Sequence, residues 1–111
     1  MRECGLCNVN VGPVIGESDH WRAVLNRNQN LLGKTMLVLR RHAERPDQLT
    51  PDEWSDLQSA LERATGAMDR LWPPIRHTFA FLQNVDQHVH LHVIPRYSGP
   101  QTVRDKVFKA P

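Results

Sequence analysis

His88-Val89-His90-Leu91-His92-Val93-Ile94, closed by Pro95-Arg96, decides how this chain is read. Three histidines at every second position, with Val89, Leu91 and Val93 between them, match a strand, whose successive side chains point to opposite faces. One face is then imidazole and the other hydrocarbon. A short β-branched run stopped by Pro95, which has no N–H to give to a ladder, favours a strand over a helix. The histidines could be incidental polar groups on a solvated face. However, three of the chain's six histidines fall in this strict alternation, which argues against chance. Two chemistries remain. Same-face imidazoles can ligate a metal such as zinc, or one imidazole can act as a covalent nucleophile arranged by its neighbours. Spacing alone leaves the two comparable.

The 111 residues suffice for a single domain, 1–111, with one core. Hydrophobic content of 40% and 23% charged residues are ordinary for a soluble globular chain. A net charge of +2 makes no case for a nucleic-acid partner, yet suits a small anionic substrate. No apolar run approaches a membrane span, and Met1-Arg2-Glu3-Cys4 lacks a signal-peptide apolar region, so a cytoplasmic location without a membrane partner is expected. There is no internal repeat or low-complexity tract.

Both cysteines lie in Cys4-Gly5-Leu6-Cys7. Such a pair reads as half a zinc site or as a redox motif. The redox reading wants a strand before the pair, and the sequence offers none, so residues 1–10 are read as a zinc-binding segment. Two thiolates need two more ligands to close a tetrahedral site. Spacing does not choose among His20, His42, His77 and the alternating histidines.

From about Glu17 to Arg27, His20-Trp21-Arg22-Ala23-Val24-Leu25 reads as a strand entering the polar turn Asn26-Arg27-Asn28-Gln29-Asn30. Gly33 opens a second strand, Lys34 to Arg40, which pairs with the first through this loop. Thr50-Pro51-Asp52-Glu53 carries a helix start: an N-cap, proline at the first helical position and the Glu of a capping box. Trp54, Leu57, Leu61, Ala64, Met68 and Leu71 follow at steps of three and four, and Pro73-Pro74 ends the helix. Trp54 and Met68 are read as core, and Asp52, Glu53, Asp56 and Glu62 as solvated or helix-start charges. His77 to Gln83 reads as a further strand, with Asn84-Val85-Asp86-Gln87 linking it to the histidines. Tyr97-Ser98-Gly99-Pro100 breaks the pattern, and residues 97–111 form a tail whose basic end, Val103 to Pro111, reads as weakly structured. Arg40, Arg41 and Arg96 are read as solubilising charge.

The alternating histidines followed by Pro95-Arg96 resemble the signature of the histidine triad (HIT) family of nucleotide-binding hydrolases and transferases. The likeness extends to Val24-Leu25-Asn26-Arg27, Gly33 and Leu37-Val38-Leu39-Arg40-Arg41-His42, which resemble the family's nucleoside-binding hairpin. With Cys4 and Cys7, the chain looks like the bacterial type that carries an N-terminal zinc half-site. The resemblance covers most of the chain. It implies an α+β fold, an antiparallel sheet of about five strands with one long amphipathic helix packed on it.

The resemblance also implies roles. His90 matches the attacking histidine, its tautomer held by a backbone carbonyl of the motif. His92 matches the histidine that donates to a phosphate oxygen or to the leaving group. Asn26 matches the residue holding the ribose hydroxyls, against a bland reading as a turn residue. Asn84 stands where the family has a phosphate-contacting glutamine, so that linker departs from the pattern, and a simple turn role is equally open to it. Cys4, Cys7, His42 and His88 match a structural zinc site, and the chemical step needs no metal. The implied activity is cleavage of a phosphoanhydride or phosphoramidate bond in a nucleotide conjugate, such as a dinucleoside polyphosphate or nucleoside phosphoramidate, through a nucleotidyl-histidine. The alternatives are a non-catalytic nucleotide-binding or zinc-scaffold protein on the same fold, and a metal-dependent hydrolase. A homodimer is implied by the resemblance alone.

Overall fold

A computed structural model describes residues 12–83, 87–103 and 106–108. Five antiparallel strands form its main sheet: β1 (Val14–Glu17), β2 (Trp21–Leu25), β3 (Thr35–Leu39), β4 (Arg76–Ala80) and β5 (His90–Arg96). They lie in the order β1-β2-β3-β5-β4. The long helix α1 (Pro51–Leu71) and β4 fill the connection from β3 to β5, so the histidine strand is held on both sides. The fold is α+β, a five-stranded antiparallel sheet with one long helix packed on it, as the resemblance implies.

Register assigns the two faces. Thr35 pairs with Val93, Met36 with His92, Leu37 with Leu91 and Val38 with His90. Leu37, Leu91 and Val93 therefore share the face that packs with Trp21 and Leu39 against Leu57, Ala60 and Met68 of α1. A fully buried leucine, valine or methionine in this cluster contributes roughly 1.5–3 kcal/mol. Met36, Val38, His90 and His92 stand on the other face. A cavity of about 380 Å³ lies on the helix side, where Ala60, Ala64 and Ala67 leave space over Trp21, Ala23 and Leu37. It is separated from the histidines by the sheet.

The helix starts as its sequence requires. Thr50 Oγ1 accepts from Glu53 N–H at 3.1 Å and Glu53 Oε1 accepts from Thr50 N–H at 2.8 Å. A cap of this kind stabilises by about 1 kcal/mol. Glu53, however, is not a solvated charge. It is 3% exposed, because Arg41 folds over it with two hydrogen bonds of 3.0 and 3.1 Å. Asp56 likewise accepts from Ser18 Oγ at 2.6 Å and His20 N–H at 2.8 Å. Trp54 is the reverse correction: it is 45% exposed, edge-on to Phe81 with ring centroids 6.3 Å apart. The buried tryptophan is Trp21, whose Nε1 donates to Glu53 O at 2.8 Å.

Other boundaries shift. The edge strand β1 was not legible, since its residues are exposed throughout. The strand read as His77 to Gln83 runs from Arg76 to Ala80, and Gln83 turns the chain with φ 48°. The tail contains a short hairpin, β6 (Gln101–Val103) paired with β7 (Lys106–Phe108), and it runs into the basic end where weak structure was expected.

Candidate active site

Because β5 lies between β3 and β4, its polar face is braced from both sides and the histidines inherit fixed positions. His88 and Val89 precede the strand proper, yet the ladder continues through Val89, whose N–H donates to Ala43 O at 2.7 Å and whose carbonyl accepts from Leu39 N–H at 3.1 Å. His88 is 1% and His90 6% exposed. Burying an imidazole obliges its nitrogens to find partners. His90 Nδ1 lies 2.7 Å from the carbonyl oxygen of His88. A carbonyl only accepts, so Nδ1 carries the proton and Nε2 keeps its lone pair.

The His92 ring sits beside that of His90, centroids 4.8 Å apart and planes at 66°. Burial, then the neighbouring His90 and the Lys34 ammonium, push its pKa down to about 4. His92 is therefore a neutral imidazole at physiological pH. Among the described residues its buried Nδ1 has no hydrogen-bond partner. A buried acceptor left unpaired is tolerated better than a buried N–H, which puts the proton on Nε2. The two rings thus offer one lone pair and one N–H side by side.

His88 turns the other way. Its Nε2–H donates to Leu39 O at 2.6 Å, so its Nδ1 presents a lone pair, directed at His42 Nδ1 3.1 Å away. The rings meet edge to face, and His42 Nε2 faces the Glu44 carboxylate at 3.5 Å. Two ring nitrogens at this separation share either a proton or a cation. Zinc ligands at 2.0–2.1 Å in tetrahedral geometry lie roughly 3.3 Å apart, and backing of each ring by an oxygen is the usual outer support of metal-bound histidine. The donor pair fits zinc. Among the described residues no third sulfur, nitrogen or carboxylate joins it as a metal group; Cys4 and Cys7 lie outside the described residues, as does Asn84.

Asn26 falls just past β2, its backbone N–H donating to Lys34 O at 3.0 Å. Its Oδ1 accepts from Asn28 N–H at 3.0 Å, the Asx-turn chemistry that such a residue offers. The turn around it is locked by Gln29, whose Nε2 donates to Asn26 O and Lys34 O at 2.6 and 2.8 Å and whose Oε1 accepts from Gly33 N–H at 2.8 Å. Gly33 adopts φ 88°, a conformation that costs other residues strain. Neither Gln29 nor Lys34 stood out in the sequence, since one is an ordinary loop amide and the other an ordinary strand-edge charge.

The antiparallel sheet thus carries on β5 an imidazole whose Nε2 keeps its lone pair beside a neutral imidazole. The HIT domain family model matches residues 9–99, and the chain belongs to that family. An uncharacterized HIT-like protein from Methanocaldococcus jannaschii is 28% identical over 90 residues, covering 78% of this chain and 70% of the relative. Solved structures agree in fold. A HIT family protein from Bacillus anthracis gives a TM-score of 0.77 at 24% identity, covering 86% of this chain and 74% of its own. A hypothetical histidine triad nucleotide-binding protein from Sulfolobus tokodaii gives 0.75 at 20% identity, covering 97% and 78%. No helix among the described residues is long and apolar enough to cross a membrane.

Proposed function

We propose that this protein is a nucleotidyl hydrolase or transferase in which His90 is the nucleophile. The observation that carries the reading is the 2.7 Å hydrogen bond from His90 Nδ1 to His88 O. It presents Nε2 as a lone pair without any metal or base to activate it. In the reaction, Nε2 attacks the phosphorus of a nucleotide conjugate and the bond to the leaving group breaks, its electron pair departing with that group. Water or another acceptor then attacks the nucleotidyl-histidine and restores the imidazole.

His92, being neutral, donates its Nε2–H to a non-bridging phosphate oxygen and stabilises the charge that builds there. It does not serve as an imidazolium acid. Asn26 supplies the amide for the ribose hydroxyls, and the likeness to the hypothetical histidine triad nucleotide-binding protein of Sulfolobus tokodaii supports a nucleotide ligand. Asn84 is assigned to the substrate phosphate. Cys4, Cys7, His42 and His88 would hold a structural zinc. A zinc closed by four protein ligands supplies cross-linking rather than an activated water.

The test is hydrolysis of diadenosine tetraphosphate and adenosine 5′-phosphoramidate, resolved by chromatography, with His90→Ala alongside. AMP production that falls at least about 10³-fold in the variant is expected. AMP binding by an inert wild-type protein would instead support a binding module.

A further inference from the structure

The cavity of about 380 Å³ on the helix side is unlike the rest of the core. Protein interiors leave few voids larger than a water molecule, and a volume in this range is that of a small-molecule site. It exists because α1 lines it with the short side chains of Ala60, Ala64 and Ala67, and the sheet adds only Gly16 and Ala23 at its outer strands. The bulge between Val14 and Gly16 also takes β1 off the regular ladder beside it. From Ala60 to Leu71, both in its wall, the helix spans roughly 16 Å, so the cavity is long rather than round.

The side-chain donors in its walls are already engaged. Trp21 Nε1 donates to Glu53 O and Thr35 Oγ1 to Gly33 O, each at 2.8 Å, and Ser18 Oγ donates to Asp56 Oδ2 at 2.6 Å. Its rim is charged. Glu17 accepts from Arg22 Nε at 3.1 Å. Arg63, by contrast, forms no ion pair with a carboxylate among the described residues. Asp56, whose charge Arg63 favours from a distance, has its Oδ2 occupied by Ser18 Oγ and His20 N–H. Ile15 and Leu71, also in the lining, are 58% and 63% exposed, which places the opening between β1 and the later turns of α1.

We infer that this cavity is a second ligand site, across the sheet from His90, and that it takes a medium-chain aliphatic carboxylate, the chain lying along the alanine row and the carboxylate on Arg63. A hydroxylated or peptide-like ligand entering here gives up hydrogen bonds to water, and the engaged wall donors do not replace them. A hydrocarbon chain gives up none and gains by leaving water. The guanidinium at the rim selects the other end of the ligand, because it pairs with a carboxylate through two parallel hydrogen bonds. The site is independent of the nucleotidyl-transfer reading and stands on residues that reading does not use.

The experiment measures hexanoate, octanoate, decanoate and decanol binding by calorimetry to the wild-type protein, Ala64→Leu, Ala67→Leu and Arg63→Gln. Wild-type affinity should rise about fourfold for each added methylene, the effect of taking one CH₂ out of water. Decanoate should also show an intermolecular NMR contact with the Trp21 indole. Ala64→Leu and Ala67→Leu fill the cavity, so each, while still melting cooperatively, should weaken decanoate at least about tenfold. Arg63→Gln should weaken decanoate about tenfold and decanol by less than about twofold, since only the carboxylate loses a charge-assisted hydrogen bond. Saturating AMP should not displace decanoate, because the sheet lies between the two faces. The site is overturned if the wild type binds none of the four, if affinity does not depend on chain length, if both filled variants bind as wild type does, or if AMP competes. It is equally overturned if the wild type dimerises through this face, shown by a dimer that decanoate leaves intact and Ala64→Leu dissolves.

Discussion

His88 Nδ1 and His42 Nδ1 point at each other across 3.1 Å while the opposite nitrogen of His88 is held by Leu39 O. His90, two residues on, points its lone-pair nitrogen elsewhere and is held by His88 O instead. One backbone stretch thus separates the histidine proposed to hold zinc from the histidine proposed to attack. The expected outcome is about one zinc per chain by elemental analysis, in line with a single tetrahedral site. His42→Ala and His88→Ala should lose the metal and melt at lower temperature, because an ion bound only by the folded state stabilises it. His90→Ala should keep both metal and melting temperature. Loss of metal from His90→Ala would instead favour all three histidines as ligands.

The neutral His92 leads to a second expectation. With its pKa pushed down to about 4, chiefly by burial, its ring proton should titrate near that pH by NMR and show no charge change between pH 5 and 8. A neutral donor can be replaced by a neutral donor. His92→Ala should lower kcat about 10²–10³-fold, the usual effect of removing one transition-state hydrogen bond, and His92→Asn should retain more activity than His92→Ala. Equal loss in both variants would mean that the ring acts by transferring a proton.

Which of these features could be read without coordinates follows from their range along the chain. The capping box spans Thr50 to Glu53 and the triad alternates over five residues, so both are written in local spacing. The burial of Glu53 is not local. It needs Arg41, twelve residues away and on a different element, and a helix-start carboxylate reads as solvated until that partner is known. Trp54 fails for the opposite reason: the apolar stripe marks a direction on the helix, not where the sheet beneath it stops. Arg96 was legible in principle, because the same parity that aligns His90 with His92 reaches it. Its hydrogen bond to Thr78 was not, because only strand pairing brings that residue beside it.

The Arg41 hydrogen bonds, followed by those from Thr50, hold the Glu53 carboxyl down to about 2 against the opposing effect of burial. A depressed folded-state pKa contributes stability that is present above the unfolded value of 4.5 and is lost as pH falls through about 2. At one pKa unit per 1.4 kcal/mol, the contribution near neutral pH is on the order of 3 kcal/mol. Urea denaturation should therefore show wild type losing stability from pH 4.5 downward. Glu53→Gln should be less stable at pH 7 by about 2 kcal/mol or more, since Arg41 loses its charge partner. The pH 7 to pH 3 difference should shrink in that variant. A Glu53→Gln protein as stable as wild type at pH 7 would show that the pair is neutral in energy.

Gln29 makes the last case, because one side chain ties together both strands' ends and the glycine turn. Its amide satisfies Asn26 O, Lys34 O and Gly33 N–H at once, and Asn26 is the residue assigned here to the ribose hydroxyls. Gln29→Ala removes all three bonds while touching no substrate, and should cost roughly 1–3 kcal/mol of stability. If the loop's shape is what holds Asn26 in position, nucleotide KM should rise several-fold with kcat little changed. Amide hydrogen exchange at Gly33 should quicken in step. Should KM stay at the wild-type value while exchange quickens, the loop would be a structural closure alone and the nucleoside would be held by other residues.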